Sequence, residues 1–315
     1  MEEYKKYIDI ISKALGEDIK NVELVSKTNN IVFKVKTEKH GTVYAKFYLN
    51  NSSHIDNELH LYDILNNKYL KERIVTSNNP KFAIFKELKG KTLDELTPEQ
   101  IAENKEHIID SVIDFYENIG KVKISGYGIL DENMNGTSTS FQDFIMKRQT
   151  DTQNLLKDYP ILNNVFSQIL KKYNNLITGD NTLVPIDTNA KNIMLMANGN
   201  IKFIDPGELI SAPKLMGYGD FVAHIYKTEL YDCLMEKLNP SEDDKKRLHI
   251  YAIFSSLNIL AFLKKLGVQK LDEVIPYGNK YSFYNLIKVH LQELGIWQTH
   301  KSKYIMRICK TIENF

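Results

Sequence analysis

The sequence predicts an α+β fold of two lobes, a small antiparallel β lobe followed by a larger, mainly helical lobe. Two observations predict it. β-branched and aromatic runs concentrate in the first part of the chain, and apolar residues recur at helical spacing through most of the remainder. With 315 residues, 43% of them hydrophobic, the chain can bury a large core without disulfides or metal ions. We expect the lobes to comprise residues 1–88 and 89–315.

The first lobe is predicted to begin with a helix and to continue as a meander of strands. Apolar residues at positions 4, 8, 11 and 15 share one helical face, and Gly16 is typical of a helix end. Runs that begin at Val22 and that cover 31–36 and 43–48 are rich in β-branched and aromatic residues, which favours three strands. Three consecutive strands with short connections predict an antiparallel sheet.

The second lobe is predicted to be helical with two interruptions, after one further helix and one further strand in the first lobe. A helix over 55–65 and a strand over 82–88 complete the first lobe. Helical spacing then runs to about residue 177, apart from a loop-rich stretch at 120–142 that contains four glycines. The second interruption, 181–208, carries the residues with the strongest chemical signal.

The most apolar stretch of the sequence, Ile250–Leu263, predicts a buried helix. It is shorter than the ~18 apolar residues that a membrane span needs. Polar residues at positions 255, 256 and 258 also interrupt it. We therefore expect no membrane partner.

Charge and cysteine content exclude several other classes of protein. Lys plus Arg is 41 and Asp plus Glu is 40, so the formal net charge is +1, whereas a dedicated nucleic-acid binder carries a basic excess. Cys233 and Cys309 are isolated from each other, so no zinc or redox motif is present. Two isolated cysteines favour a reduced, cytoplasmic protein. The oligomeric state is left open.

The segment from 183 to 205 contains a predicted β-hairpin with polar residues at its open end. Asn198-Gly199 is a strong signal for a two-residue type I′ turn. A two-residue loop would set Asn192 directly opposite Asp205, with Cβ atoms about 4.5–5.5 Å apart. Asp187 lies five residues before Asn192.

These three side chains together predict phosphoryl-transfer chemistry. Amide and carboxylate oxygens from Asn192 and Asp205 are hard ligands of the kind that Mg²⁺ takes alongside phosphates and water. A second carboxylate, Asp187, could orient or deprotonate a hydroxyl nucleophile. Each residue alone is common at turns and strand ends, so the prediction depends on the combination.

The combination resembles the aminoglycoside phosphotransferase and choline kinase superfamily, whose fold is similar to that of protein kinases. The superfamily's catalytic loop, H-x-D-x-x-x-x-N, is matched by residues 185–192, and its following I-D by Ile204-Asp205. The resemblance implies that Asp187 is the catalytic residue and that Asn192 and Asp205 bind Mg²⁺. It also implies that ATP, or another nucleoside triphosphate, is the phosphate donor.

The chain departs from the superfamily pattern at two positions. Pro185 stands where the pattern has His, and after Asp205 a further carboxylate could come only from Glu208. Further along, Gly219-Asp220-Phe221 resembles the superfamily's G-D-P segment, in which the Asp supports the catalytic loop.

The first lobe contributes two more resemblances, one for a phosphate-binding lysine and one for its partner. Residues 43–47 resemble the V-A-I-K strand, so Lys46 would neutralise nucleotide phosphates. Glu58 lies where the superfamily's lysine-pairing glutamate would be, although an exposed helical charge is an equal alternative.

Two further segments are candidates for nucleotide contacts. Residues 26–30 stand where the phosphate-covering loop belongs, which makes Ser26 and Asn30 candidates even though the protein-kinase glycine pattern is missing. Residues 84–90 resemble the hinge, where the backbone of Glu87 and Leu88 would meet the adenine edge.

The resemblance implies a kinase that moves a γ-phosphate to a hydroxyl of a small molecule. Only the fourteen residues 206–219 separate Asp205 from the Gly-Asp-Phe segment, which leaves little room for a regulated activation segment. The acceptor could be an antibiotic such as an aminoglycoside, or a choline-like or sugar-like metabolite. An inactive, nucleotide-binding kinase fold is the main alternative, and a protein kinase is a third.

Overall fold

The structure, a computed structural model, describes residues 4–27, 30–49, 53–65, 68–206 and 208–297, with the side chains of 53–58, 160, 161 and 163 outside that description. The first lobe contains two helices and five strands, namely α1 (Lys5–Leu15), β1 (Asn21–Lys27), β2 (Asn30–Lys36), β3 (Thr42–Tyr48), α2 (Ser53–Leu65), β4 (Arg73–Asn78) and β5 (Lys81–Lys86). All pairings in its sheet are antiparallel, in the order β1-β2-β3-β5-β4. The meander predicted from the sequence is confirmed, and β4 is an addition to it.

Strand β3 shows why the sheet has one buried face and one face toward the cleft. Side chains alternate along a strand. Val43, Ala45 and Phe47 pack into the core formed with α1, where they are at most 2% exposed. Tyr44 and Lys46 point to the other side, toward the space between the lobes. The alternation in five residues therefore fixes where the lysine is presented.

The second lobe is mainly helical, as predicted. Its helices are α3 (Pro98–Ile119), α4 (Phe141–Leu155), α5 (Pro160–Tyr173), α6 (Lys214–Ile225), α7 (Glu229–Leu238), α8 (Glu242–Lys265) and α9 (Phe283–Glu293). Its short strands are β6 (Gly90–Thr92), β7 (Tyr127–Leu130), β8 (Gly136–Ser138), β9 (Thr182–Ile186), β10 (Ile193–Met196), β11 (Ile201–Phe203) and β12 (Glu208–Ala212). They form two small sheets, in the orders β11-β10-β6 and β8-β7-β12-β9.

Helix α8 is the buried helix that the apolar stretch predicts. Every side chain from 248 to 257 is buried. Helix α6 packs so closely on it that a Cβ at Gly219 would lie 2.4 Å from the Cβ of Tyr251. Glycine at this position therefore lets α6 carry its next residue, Asp220, up to α8. Among the described residues, no helix is both long and apolar enough to cross a bilayer.

The short strands β6, β7, β8 and β12 are the main elements that the sequence patterns did not predict. The stretch 120–142, expected to be rich in loops, contains β7 and β8, and β12 extends from the end of the predicted interruption into residues expected to be helical. Strands of three to five residues are too short to show a clear alternation. They exist because they pair with distant segments, for example β12 with both β9 and β7.

The predicted hairpin is present, but its predicted register is wrong by one residue. Ile193 pairs with Phe203 rather than with Ile204. The loop has three residues instead of two, because Gly199 N donates to Met196 O at 2.9 Å while Met196 N donates to Asn200 O at 2.8 Å. Gly199, at φ +84°, takes the left-handed conformation that such a loop requires. Asn192 is therefore opposite Ile204, not Asp205.

A pair of buried histidines gives the second lobe an expected sensitivity to acid. His249 Nδ1 lies 2.9 Å from His290 Nδ1, between α8 and α9. Burial lowers the pKa of both imidazoles, that of His290 well below its ordinary value. The folded protein thus keeps them neutral, while the unfolded chain takes up protons below pH ~6.5. Stability should therefore fall on acidification, by at most about 1.4 kcal/mol per pH unit for each histidine.

Urea unfolding at pH 7 and pH 5 measures this dependence. We expect His290→Gln to lose less stability between the two pH values than the wild type does. His60→Gln, on the exposed face of α2, should keep the wild-type dependence. An unchanged pH dependence in His290→Gln would contradict the prediction.

Candidate active site

A cavity of about 390 Å³ lies between the two lobes and brings together most of the predicted nucleotide-binding residues. The predicted residues that line it come from both lobes and are Ser26, Asn30, Lys46, Leu88, Asn192 and Asp205. They span 179 positions of the chain, from 26 to 205, so only the folding of one lobe onto the other joins them.

Lys46 supplies a buried positive charge to this cavity. Its residue is 5% exposed, and its Nζ lies 3.4 Å from Asp205 Oδ1. The ammonium group also lies 5.2 Å from the centroid of the Tyr48 ring. The predicted phosphate-binding lysine and the predicted metal-binding carboxylate therefore form an ion pair in the lining of the cavity.

One predicted nucleotide contact, Glu87, is not among the lining residues of the cavity, and another, Glu58, falls outside the described side chains. Glu87 donates its N–H to Thr42 O at 3.1 Å, and its carboxylate pairs with Lys34 at 2.9 Å. Glu58 lies on α2, but its side chain is outside the described part of the structure. The roles suggested for both residues stay predictions.

The cavity also contains residues that the sequence patterns did not single out. Lys71 and Lys86 join Lys46 in the lining, and the Nζ of Lys71 lies 4.0 Å from the centroid of the Phe85 ring. Tyr44 and Met194 contribute apolar surface on either side of the cavity. The alternation of β3 could have pointed to Tyr44, two residues before Lys46, but no local pattern distinguishes Lys71 among 41 basic residues.

The loop that follows β9 is held by a carboxylate from α6. Asp220 Oδ2 accepts hydrogen bonds from the N–H groups of Asp187, at 2.7 Å, and Thr188, at 2.9 Å. The hydroxyl of Ser255, on α8, donates to the other oxygen of Asp220. Asp220 itself is 4% exposed. It therefore supports the loop in the way that the Gly-Asp-Phe resemblance implies.

Asp187 has a strained backbone and a perturbed carboxyl group. Its φ of +75° lies in the left-handed region, which a non-glycine residue adopts only when its surroundings enforce it. Asn189 Nδ2 donates to its Oδ1 at 2.8 Å. Burial at the base of the cleft, together with the charges of Asp220 and Asp205, raises the pKa of Asp187 to about 7. The carboxylate still opens into a cavity on one side.

Asn192 lies between Asp187 and the cavity that contains Lys46. Its Nδ2 donates to Asp187 O at 2.8 Å, so its amide oxygen is the atom that a cation would take. Asn192 and Asp205 line the same cavity as Lys46. One amide oxygen and one carboxylate fit Mg²⁺, which takes one or two protein ligands and completes its shell with phosphates and water. No cluster of three or more His, Cys, Asp or Glu ligands occurs within the described ranges.

The structure also accounts for the two departures from the superfamily pattern. Pro185 is buried in β9 opposite Leu209, and the loop is held instead by Asp220 and by Tyr116, which donates to Thr188 Oγ1 at 2.8 Å. Glu208 pairs with Arg148 at 3.0 Å and lines a different cavity from Asp205. It is therefore not placed to be a second metal-binding carboxylate.

That second cavity, of about 590 Å³, opens on the other side of the loop 187–192. Asp187 lines it, and it shares no lining residue with the first cavity. Most of its other lining residues come from α6, from α8 and from the segment 274–277. The contact between Asp187 and Asn192 is thus the point at which the two cavities adjoin.

Comparisons with known proteins identify the fold. The chain is similar to a thermostable mutant of aminoglycoside phosphotransferase APH(4)-Ia, solved in ternary complex with AMP-PNP and hygromycin B, with a TM-score of 0.66 and 15% identity over 84% of this chain and 92% of that one. It is also similar to choline kinase LicA from Streptococcus pneumoniae, with a TM-score of 0.64 and 14% identity over 94% and 100% of the two chains. A protein described as a fructosamine-3-kinase, from Thermobifida fusca, has a TM-score of 0.59 and 10% identity, over 81% and 91%.

No protein-family model matches the sequence. No curated protein matches it either. The comparison therefore depends on structural similarity alone. The chain has the protein-kinase-like fold that these three structures share. The fold class predicted from the sequence is confirmed.

Proposed function

We propose that the protein is a phosphotransferase that moves the γ-phosphate of ATP, or of another nucleoside triphosphate, to a hydroxyl group of a small molecule. One observation carries the proposal. Asp187 faces one cavity, while Asn192 and Asp205 face the adjoining cavity together with Lys46. A donor and an acceptor bound in the two cavities would meet at Asp187.

The chain's own residues supply positioning and charge. Asn192 and Asp205 would hold Mg²⁺, which neutralises phosphate charge when it is bound. Lys46 contributes a fixed positive charge to the same phosphates. Asp187 accepts the proton of the acceptor hydroxyl and aims its oxygen at the γ-phosphorus, and the bond from that phosphorus to the nucleoside diphosphate breaks. Since phosphoryl transfer passes through a loose transition state, these residues act by alignment and electrostatic stabilisation.

The proteins of known structure support a small-molecule acceptor. One was solved with a nucleotide analogue and hygromycin B together, and a second is a choline kinase. The short connection between Asp205 and α6, which holds β12 and little else, supports the same proposal because it leaves no long activation segment.

Magnesium-dependent nucleotide binding tests the nucleotide half of the proposal. We expect wild-type protein to bind ATP more tightly with Mg²⁺ than with EDTA, and Asp205→Ala to lose that difference, because it removes the carboxylate ligand. Calorimetric titration in both conditions measures it. Glu208→Gln is the matched control, since Glu208 is the next carboxylate along the chain and does not line the cavity that contains Asp205.

Two outcomes would contradict the proposal. Equal ATP affinity with and without Mg²⁺ in the wild type would contradict a role for the metal ion in nucleotide binding. Tight binding of the magnesium–nucleotide complex without transfer to any hydroxyl compound would favour an inactive kinase fold instead.

A further inference from the structure

The cavity beside Asp187 has the size of a site for a drug-sized molecule. Its volume is about 590 Å³, within the ~300–1,000 Å³ of pockets that bind such ligands. A neighbouring cavity of about 330 Å³ shares Arg148, Glu208, Asn258 and Phe262 with it. An acceptor can therefore extend from Asp187 past the Arg148–Glu208 ion pair.

Negative charge in this cavity is already engaged by the protein. The two oxygens of Asp220 accept hydrogen bonds from Asp187 N, Thr188 N and Ser255 Oγ. Glu208 is paired with Arg148 at 3.0 Å. The third carboxylate in the lining, Asp187, accepts a hydrogen bond from Asn189 and is the group proposed to take the proton of the acceptor hydroxyl. A polycationic acceptor would need a partner for each ammonium group that loses its water.

Positive charge prevails in the neighbouring cavity instead. Its lining carries Lys147, Arg148 and Lys265 against Asp151 and Glu208, which disfavours an acceptor that carries several cations. His224, which lines the larger cavity, adds no charge there, because burial lowers its pKa. A small quaternary amine is also a poor fit, since it would leave most of the cavity volume unfilled.

The outer wall of the cavity is apolar and accessible. Phe262 on α8 is 48% exposed, and Ile275 and Tyr277 in the facing segment are 51% and 49% exposed. Lys191, in the catalytic loop, lies with its Nζ 3.9 Å from the centroid of the Tyr277 ring, which ties this segment to the loop that carries Asp187. Exposed apolar side chains that converge on one concave site are typical of a ligand surface.

We propose that the acceptor is a bulky alcohol with an apolar body and at most one cationic group. Its hydroxyl lies at Asp187, and its body packs between Phe262 on α8 and the segment 274–277. This inference rests on the proposed function, and it excludes polycationic sugars and choline as preferred acceptors.

An acceptor panel tests the proposal on the full-length protein. One set contains hygromycin B, kanamycin and choline, and the other contains neutral or monocationic alcohols with apolar bodies, such as octyl β-glucoside, with methyl β-glucoside as its small counterpart. Calorimetry measures binding in the presence of ADP and Mg²⁺, and mass spectrometry measures phosphoryl transfer from ATP. We expect at least tenfold higher kcat/KM in the apolar set, and at least tenfold tighter binding of octyl than of methyl β-glucoside.

Two outcomes separate failure of this inference from failure of the proposed function. If the protein binds ATP with Mg²⁺ but prefers the cationic set, or binds no apolar alcohol, the acceptor class is wrong and the phosphotransferase proposal stands. If it does not bind ATP at all, the proposed function fails, and this inference fails with it.

A pair of variants locates the site. Phe262→Asp puts a carboxylate into the apolar wall, and we expect it to raise KM for the apolar acceptor at least tenfold with KM for ATP unchanged. Leu266→Asp introduces the same carboxylate one turn further along the chain, at a residue that is 62% exposed and outside the cavity lining. It should change neither KM for the acceptor nor KM for ATP. Equal effects of the two substitutions, or no effect of Phe262→Asp, would overturn the proposed position of the acceptor.

Discussion

Asp187→Ala is expected to lower kcat for phosphoryl transfer by about 10²–10⁴-fold, the usual contribution of a positioned general acid or base. The carboxylate lies where the two cavities adjoin, so its removal leaves the acceptor hydroxyl without a group to orient it or to take its proton. Nucleotide affinity should change little, because the cavity that contains Lys46, Asn192 and Asp205 keeps all its polar groups.

The comparison with a distant carboxylate makes this test specific. Asp180 lies just before β9, has a side chain that is 87% exposed, and pairs only at the surface with Lys123. Asp180→Ala should therefore keep wild-type kcat. Steady-state rates with one acceptor measure kcat, and ATP titrations measure the nucleotide affinity of each variant. A kcat for Asp187→Ala within threefold of wild type would remove this residue from the mechanism.

The second large effect is expected at Asp220, whose carboxylate holds the loop that carries Asp187. Asp220→Ala leaves the N–H groups of Asp187 and Thr188, and the hydroxyl of Ser255, without their acceptor in a buried position. Each buried donor that is left without an acceptor costs about 1–3 kcal/mol. The catalytic loop would lose its anchor at the same time, so we expect kcat to fall at least about 100-fold, as misplacement of a catalytic group does.

Asp220→Asn is the matched variant, because it keeps the shape and one oxygen. That oxygen can still accept from both backbone N–H groups, while the amide nitrogen can donate to Ser255 Oγ. We expect it to recover more than half of the lost unfolding free energy in urea titrations and to restore most of kcat. If the Ala and Asn variants were equally active, the loop would not depend on this carboxylate for its position.

Much of the fold could be predicted from local patterns. The first helix and strand β2 show the burial period of their element throughout, and β3 shows it over its first four residues, while α8 was predicted from a continuous apolar run. The resemblance to the V-A-I-K strand singled out Lys46, and in the structure Lys46 lies on the face of β3 opposite Val43 and Ala45. The short strands β6, β7 and β12 lack such a period, and they were not predicted.

Part of the candidate site was predicted from the sequence, but the hairpin register used in the argument was wrong. Asn192 and Asp205 do line one cavity, yet the hairpin register that was meant to bring them together is displaced by one residue. Nothing in the local sequence distinguishes a two-residue turn at Asn198-Gly199 from the three-residue loop that forms, because both need Gly199 at positive φ.

The sequence by itself determined the two-lobed architecture and the types of residue at the candidate site, because periodicity and side-chain chemistry are local properties. The tertiary structure decided which of those residues meet. In the folded protein Asp220 contacts Asp187, which is 33 positions away in the chain, and Arg148 contacts Glu208, which is 60 positions away. Such contacts depend on how α6 and α4 pack against distant strands, and no single segment of the chain records that packing.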